Sequence, residues 1–416
     1  MGDTHLDRAV RLDRADRLAG YRDRFVIADP ALVYLDGNSL GRLPVATRDR
    51  LRAVVDTWGT ELIGGWDRWI EVNRAAGDVL AGIVGAAAGE VILADSTSVN
   101  LYKLACAALA ARPGRTVIVT DDDNFPTDRY VLAGIAADRG LTLRMVGTDP
   151  DRGIDPAAVT AALDGDVALL CLSHVSYRSG AVADLPALTA AAHEVGALVL
   201  WDLCHSAGAV PVGLTAAGAD LAVGCTYKYL NGGPGAPAFL YVRADLQTVV
   251  RQPIWGWFGQ SGQFAMGPSY DPLPDIRRFL VGTPPVLAAY AALEGARLTA
   301  EAGVEAIAAK GRALTGYAVD LVDAWLAPLG FRLASPRDPC RRGAHVTLHH
   351  PQAWQVCQAL KAAGVIPDFR APDRLRLGMA PLYTRFVDVH SGLSRLRDVV
   401  GAGAHEPYPS LPAGIT

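Results

Sequence analysis

Cysteine is scarce in this chain, six residues in 416, and no two of them form a CxxC pair. That excludes a disulfide framework and reads as reduced thiols. A basic surplus is missing too. Lys and Arg total 39 against 43 Asp and Glu, for a net charge of −4, so nucleic-acid binding has no electrostatic support. No stretch reaches the roughly 18 consecutive apolar residues of a spanning helix. The first twenty residues, MGDTHLDRAVRLDRADRLAG, are charged throughout and lack the apolar run of a secretory signal. There is no internal repeat and no low-complexity linker. The expectation is a soluble cytoplasmic protein with no nucleic-acid, membrane or metal partner.

What is present is an ordinary globular enzyme composition, half hydrophobic and a fifth charged. The length is too great for one small core. Residues 1–24 read as a charged helix, and 45–90 carry helical periodicity. Short apolar runs then alternate with Ala-rich amphipathic segments. The runs are TVIVT (116–120), LTLRMV (141–146), VALLCLSHV (167–175), LVLWDL (198–203), LAVG (221–224) and AFLYV (238–242). Helices are expected between them near 126–139, 156–164 and 186–196. Strands that are apolar on both faces and alternate with helices indicate a mostly parallel sheet. From about 286 a long helical stretch leads to strand-like AHVTLHH (344–350) and RLRLGMA (374–380). The fold class is therefore α/β: a large domain at 45–295, with a mostly parallel sheet flanked by helices, and a smaller α+β domain from 1–44 and 296–416.

The stretch CTYKYLNGGPGA (225–236) sets Lys228 between an apolar run and a glycine-rich loop. Most lysines are solvated surface charges; a desolvated one is suited to covalent chemistry. Asp202 ends the apolar run 26 residues earlier, where parallel sheets bind ligands. On its own an Asp there is commonly a helix N-cap. Paired with Lys228 it fits a pyridoxal phosphate (PLP) site, which needs a lysine for the Schiff base and a carboxylate at the pyridine nitrogen. Ser96, Thr97 and Ser98 begin an apolar-periodic helix, a natural phosphate cradle or equally a plain cap. Phe125 and Asp128 follow another strand in DDDNFPTDRY. Ser173 and His174 end a further one, and His205 lies three residues past Asp202.

The ordered set YLDGNSLGRLP, STSVNLYK, NFPTDRY, WDLCHSAG, TYKYLNGGPGA, GWFG, GTPP and RLGMAPLY resembles the kynureninase family from about residue 30 to 390. The resemblance implies PLP fold type I, with a seven-stranded-type sheet and a homodimer that shares its active sites. It implies that Lys228 carries PLP, that Asp202 pairs with the pyridine nitrogen and that His205 lies beside it. Thr97, Ser98, Tyr227 and Trp257 would hold the phosphate, with Trp257 and Thr283 supplied by the partner subunit. Phe125 would stack on the ring, and Asp128 and Ser173 would complete the cofactor shell. Arg376 would take the substrate α-carboxylate, for which a guanidinium is well shaped. Asn38, Ser39 and Trp66 would line the substrate site, and Tyr227 would double as an acid. The implied reaction is hydrolysis of the Cβ–Cγ bond of L-kynurenine to anthranilate and L-alanine, in tryptophan catabolism or NAD biosynthesis. The resemblance further implies, from Thr283 in GTPP, a preference for plain kynurenine over its 3-hydroxylated form.

Three rivals stand beside this reading. One is a kynureninase relative tuned to 3-hydroxykynurenine or another substituted kynurenine of secondary metabolism. A cysteine desulfurase would need a nucleophilic cysteine on a mobile loop, and Cys340 in SPRDPCRRGAH is the loop candidate. A catalytically dead PLP-binding protein is opposed by the joint presence of Lys228, Asp202, Tyr227 and Arg376.

Overall fold

The structure is a computed structural model that describes residues 4–410. In chain order the strands are β1 (Val33–Tyr34), β2 (Val91–Leu93), β3 (Val117–Asp121), β4 (Thr142–Val146), β5 (Val167–Ser173), β6 (Leu198–Asp202), β7 (Leu221–Gly224), β8 (Phe239–Val242), β9 (Arg332–Leu333), β10 (His345–His349), β11 (Val365–Ile366), β12 (Asp368–Arg370) and β13 (Arg374–Gly378). Seven of them form the main sheet in the order β2-β8-β7-β6-β5-β3-β4. The pairs from β4 through to β7 are parallel, and β8 is antiparallel to both its neighbours. Both faces of this sheet are buried. Along β6, Val199 and Trp201 pack into one apolar cluster while Leu198 and Leu200 pack into another. That is why these strands read in sequence as unbroken apolar runs.

A second sheet, β12-β13-β10-β9, is antiparallel, and β1 pairs with β11. Its core includes Leu314, Val346, Leu375 and Leu393. The two chain ends are tied together here: Asp13 accepts hydrogen bonds from the free N–H groups of Phe386 and Val387 at 2.7 and 3.0 Å, which caps the C-terminal helix Phe386–Gly401.

The helices differ from expectation in three places, each for a local reason. The N-terminal helix covers Thr4–Arg14 and gives way to a 3-10 turn at Ala19–Arg24; residues 1–3 lie outside the described residues. Asp16 breaks it, because its carboxylate accepts from Leu18 N at 2.9 Å and pairs with buried Lys310 at 2.7 Å. The periodic stretch 45–90 divides at Leu62, whose φ is 50°. The stretch after 286 divides at Gly303, with φ of 80°. β2 is an addition the sequence reading did not contain.

The loop that follows β7 is clasped from both sides. A Cβ at Gly41 would overlap Lys228 O, and Gly41 N donates to Tyr227 O at 2.8 Å. On the opposite side Gly295, in the helix Val286–Ala302, lies so near Leu230 O that it too has no room for a Cβ. Only glycine permits two such backbone approaches.

Candidate active site

The parallel strands all point their C-terminal ends to one edge of the main sheet, and the polar residues of the expected site gather there. Ser173 and Asp202 are partners in the β5–β6 register, and Asp202 pairs in turn with Val223 of β7. Lys228 follows five residues on. Its amine is half-buried, with Nζ 3.4 Å from His205 Nε2, 5.9 Å from the Phe125 ring centre and 5.8 Å from that of Tyr227. A histidine and two aromatic faces thus frame this amine, and no ion pair holds it among the described residues.

Electrostatics divides the site into a neutral wall and an acidic floor. His205 is held well below the usual histidine range, first by burial and then by Lys228, Arg376 and His345. Its ring is therefore neutral and can accept from the lysine. Asp128 is pushed well above the carboxylate range, by burial first and then by Asp202 beside it. Two carboxyl groups facing each other in an enclosed site hold a proton between them, or need a cationic N–H there. A protonated pyridine supplies that N–H, so the donor set fits the cofactor. No helix follows Asp202, so it is not the N-cap of one; its Oδ1 accepts from Cys204 N at 2.7 Å inside a turn.

The helix Thr97–Ala110 starts at the same edge. Ser96 is its N-cap, accepting from Val99 N at 3.3 Å, so Thr97 and Ser98 take the first two helical positions. N–H groups there have no intrahelical acceptor and suit a phosphate. Thr97 Oγ1 lies 3.6 Å from Cys204 Sγ, which brings the cradle against the loop after β6. Ser173 Oγ donates to Asn124 Oδ1 at 2.7 Å, and Phe125 meets Tyr177 edge to face at 5.3 Å. The Cys225 thiol and burial push Tyr227 up, so its phenol remains an O–H donor.

Arg376 is fully buried, and most of its donors are engaged. Nη1 donates to Tyr177 O, and Nη2 to Ser39 Oγ at 3.0 Å and to Asp368. With its amide oxygen turned to the guanidinium, Asn38 accepts from Nε at 2.6 Å. The expected group of Arg376, Asn38 and Ser39 is thus together.

The remaining candidates stand elsewhere on the chain. Trp66 lies in an apolar groove of about 410 Å³ with Trp58, Trp69 and Leu287. Trp257 is 40% exposed and packs on Phe258 and Phe264, and Thr283 is exposed. Cys340 is exposed on a short 3-10 turn capped by Asp338.

Sequence reasoning missed His345 and Asp368. His345 is fully buried, its ring is 5.6 Å from that of His205, and neither ring nitrogen has a hydrogen-bond partner among the described residues. Asp368 pairs with Arg376 and, at 3.0 Å, with Arg370. Both come from strands of the second sheet, more than a hundred residues from Lys228, and no spacing signals them.

The chain is similar to known proteins along nearly its whole length. The family model for the kynureninase C-terminal domain matches residues 307–396. A kynureninase of Pseudomonas fluorescens is 44% identical over 400 residues, which covers 94% of each chain. One from Burkholderia pseudomallei strain 1106a is 45% identical over 421 residues, 99% of each chain. Among solved structures, a cysteine desulfurase of Escherichia coli superposes with a TM-score of 0.79 at 18% identity, over 93% of this chain and 98% of its own. That likeness shows the fold: PLP fold type I. Near-full-length identity at this level places the sequence more narrowly, and the chain belongs to the kynureninase family.

Proposed function

We propose that this chain hydrolyses the Cβ–Cγ bond of L-kynurenine, yielding anthranilate and L-alanine, with PLP held at Lys228. The observation that carries the reading is the Lys228–His205 approach of 3.4 Å above the Asp128–Asp202 pair, in a chain of this family. Bound PLP supplies an electron sink for the substrate's α-carbon and so makes its β-carbon a leaving group. The protein's residues do the rest. Lys228, beside the neutral ring of His205, would move the proton at Cα. Asp202 would accept from the pyridine N–H, with Asp128 beside it. The N–H groups and hydroxyls of Thr97 and Ser98 hold the phosphate. Arg376 meets the α-carboxylate, with Asn38 and Ser39 fixing the guanidinium. Tyr227 keeps its proton to place at the γ-carbonyl oxygen as water adds there.

The working unit in this reading is a homodimer in the cytoplasm. Trp257 and Thr283 reach the partner's phosphate site, and Trp66 reaches its substrate ring. The exposed apolar groove around Trp58 and Leu287 supports this, because such a surface is costly to leave in water. Anthranilate release by the PLP-loaded protein, run on L-kynurenine and 3-hydroxy-L-kynurenine side by side, tests the proposal. Turnover of kynurenine that vanishes in Lys228→Ala is expected. A yellow protein that releases neither product would overturn the substrate and leave the fold.

A further inference from the structure

The Thr97–Ala110 helix buries a lysine that the chemistry above does not use. Lys103 has a side chain 0% exposed, an unusual place for an ammonium. Its Nζ donates to Asp95 Oδ2 at 2.6 Å and to Phe279 O at 2.7 Å. Burial pulls this amine below the usual lysine range, and Asp95 pulls it back up.

The position of Asp95 is what matters. It ends the turn that leads into Ser96, Thr97 and Ser98, and its φ is +43°. A non-glycine residue is seldom held there without support. Asp95 O accepts from Ala238 N at 2.8 Å, and Asn100 Nδ2, from the first turn of the same helix, donates to Ala94 O at 2.6 Å. The turn is therefore fastened on its backbone by Ala238 and Asn100, and on its side chain by Lys103. The Asp95 carboxylate is 30% exposed, two residues before the cradle, so on its own it would repel a phosphate. Lys103 offsets that charge from beneath. Through Phe279 O it also ties the cradle to the 3-10 turn Ile276–Phe279, from which the chain runs on to Thr283.

We propose that Lys103 is a positioning residue for the cofactor phosphate: it holds the Asp95 turn in its strained form and cancels the carboxylate beside the cradle. The inference rests on the PLP reading above but concerns only the phosphate end, and this makes it separable. The test compares PLP with pyridoxal, which lacks the phosphate, by titration of cofactor absorbance on the full chain. The wild type is expected to prefer PLP strongly. Lys103→Met is expected to weaken PLP about tenfold or more while pyridoxal affinity stays within about threefold. Lys103→Met/Asp95→Asn is expected to regain most of the lost PLP affinity, because the stranded carboxylate is gone. Should Lys103→Met fail to fold, Lys103→Gln keeps a neutral N–H donor in the same place, and the same fall in PLP preference is expected. Equal loss for both cofactors, or an unchanged ratio, would overturn the proposal and leave the PLP site standing. A wild type with no preference for PLP over pyridoxal would remove the phosphate cradle itself, and Lys103's role with it.

Discussion

Arg376 and Asp368 are register partners on β13 and β12, and their side chains form an ion pair with each about 1% exposed. A buried pair of this kind is costly to break from one side. Asp368→Asn is expected to lower stability by about 3 kcal/mol. Part of that loss should return on adding L-alanine, whose carboxylate replaces the missing anion. Thermal melts with and without L-alanine check this, and a variant whose melting temperature rises no more than that of the wild type would refute it.

Asp128 and Asp202 invite the same substitution with opposite expected outcomes. Burial and then Asp202 push Asp128 towards its neutral form, so Asp128→Asn should change little and turnover should stay within about tenfold. Asp202→Asn removes the anion that the pyridine N–H needs, and kcat should fall by about a hundredfold or more. Equal losses in the two variants would contradict the assignment of the proton.

Tyr227→Phe is expected to retain cofactor absorbance and lose about 10²–10⁴ in kcat, the usual contribution of a positioned acid. A phenol that only contacts the phosphate would instead show up in PLP affinity, with kcat little changed.

Asp121, at the end of β3, predicts a pH effect on stability. Burial and then Asp123 push it up to about 7 from an ordinary 3.8. The folded state thus binds more protons than the unfolded state between those values, and stability falls as pH rises through that window. Asp121→Asn removes the penalty. The variant should match the wild type near pH 3.5 and exceed it by about 2–4 kcal/mol at pH 8. Urea melts at both pH values decide the matter.

Much of this molecule was legible in its sequence, for a reason visible in β5, β6 and β7. Central parallel strands are apolar on both sides, so the runs 167–175, 198–203 and 221–224 fall on the observed strands to within two residues. β2 escaped because three residues, Val91–Leu93, are too few to display a period. The break at Asp16 escaped because its cause, Lys310, lies almost three hundred residues away. In the site, Lys228 and Asp202 announced themselves by their place at strand ends. Arg376 was chosen by resemblance, since Arg374 two residues earlier carries the same local pattern. The structure separates them: Arg376 is buried against Asn38, Ser39 and Asp368, whereas Arg374 reaches Asp151 and Asp373.

The clasp of Gly41 and Gly295 around the Lys228 loop ties the lysine's surroundings to both flanks of the chain. A larger residue at either glycine is therefore expected to push the loop, and with it the amine, out of register with the cofactor site, although neither glycine touches the amine itself.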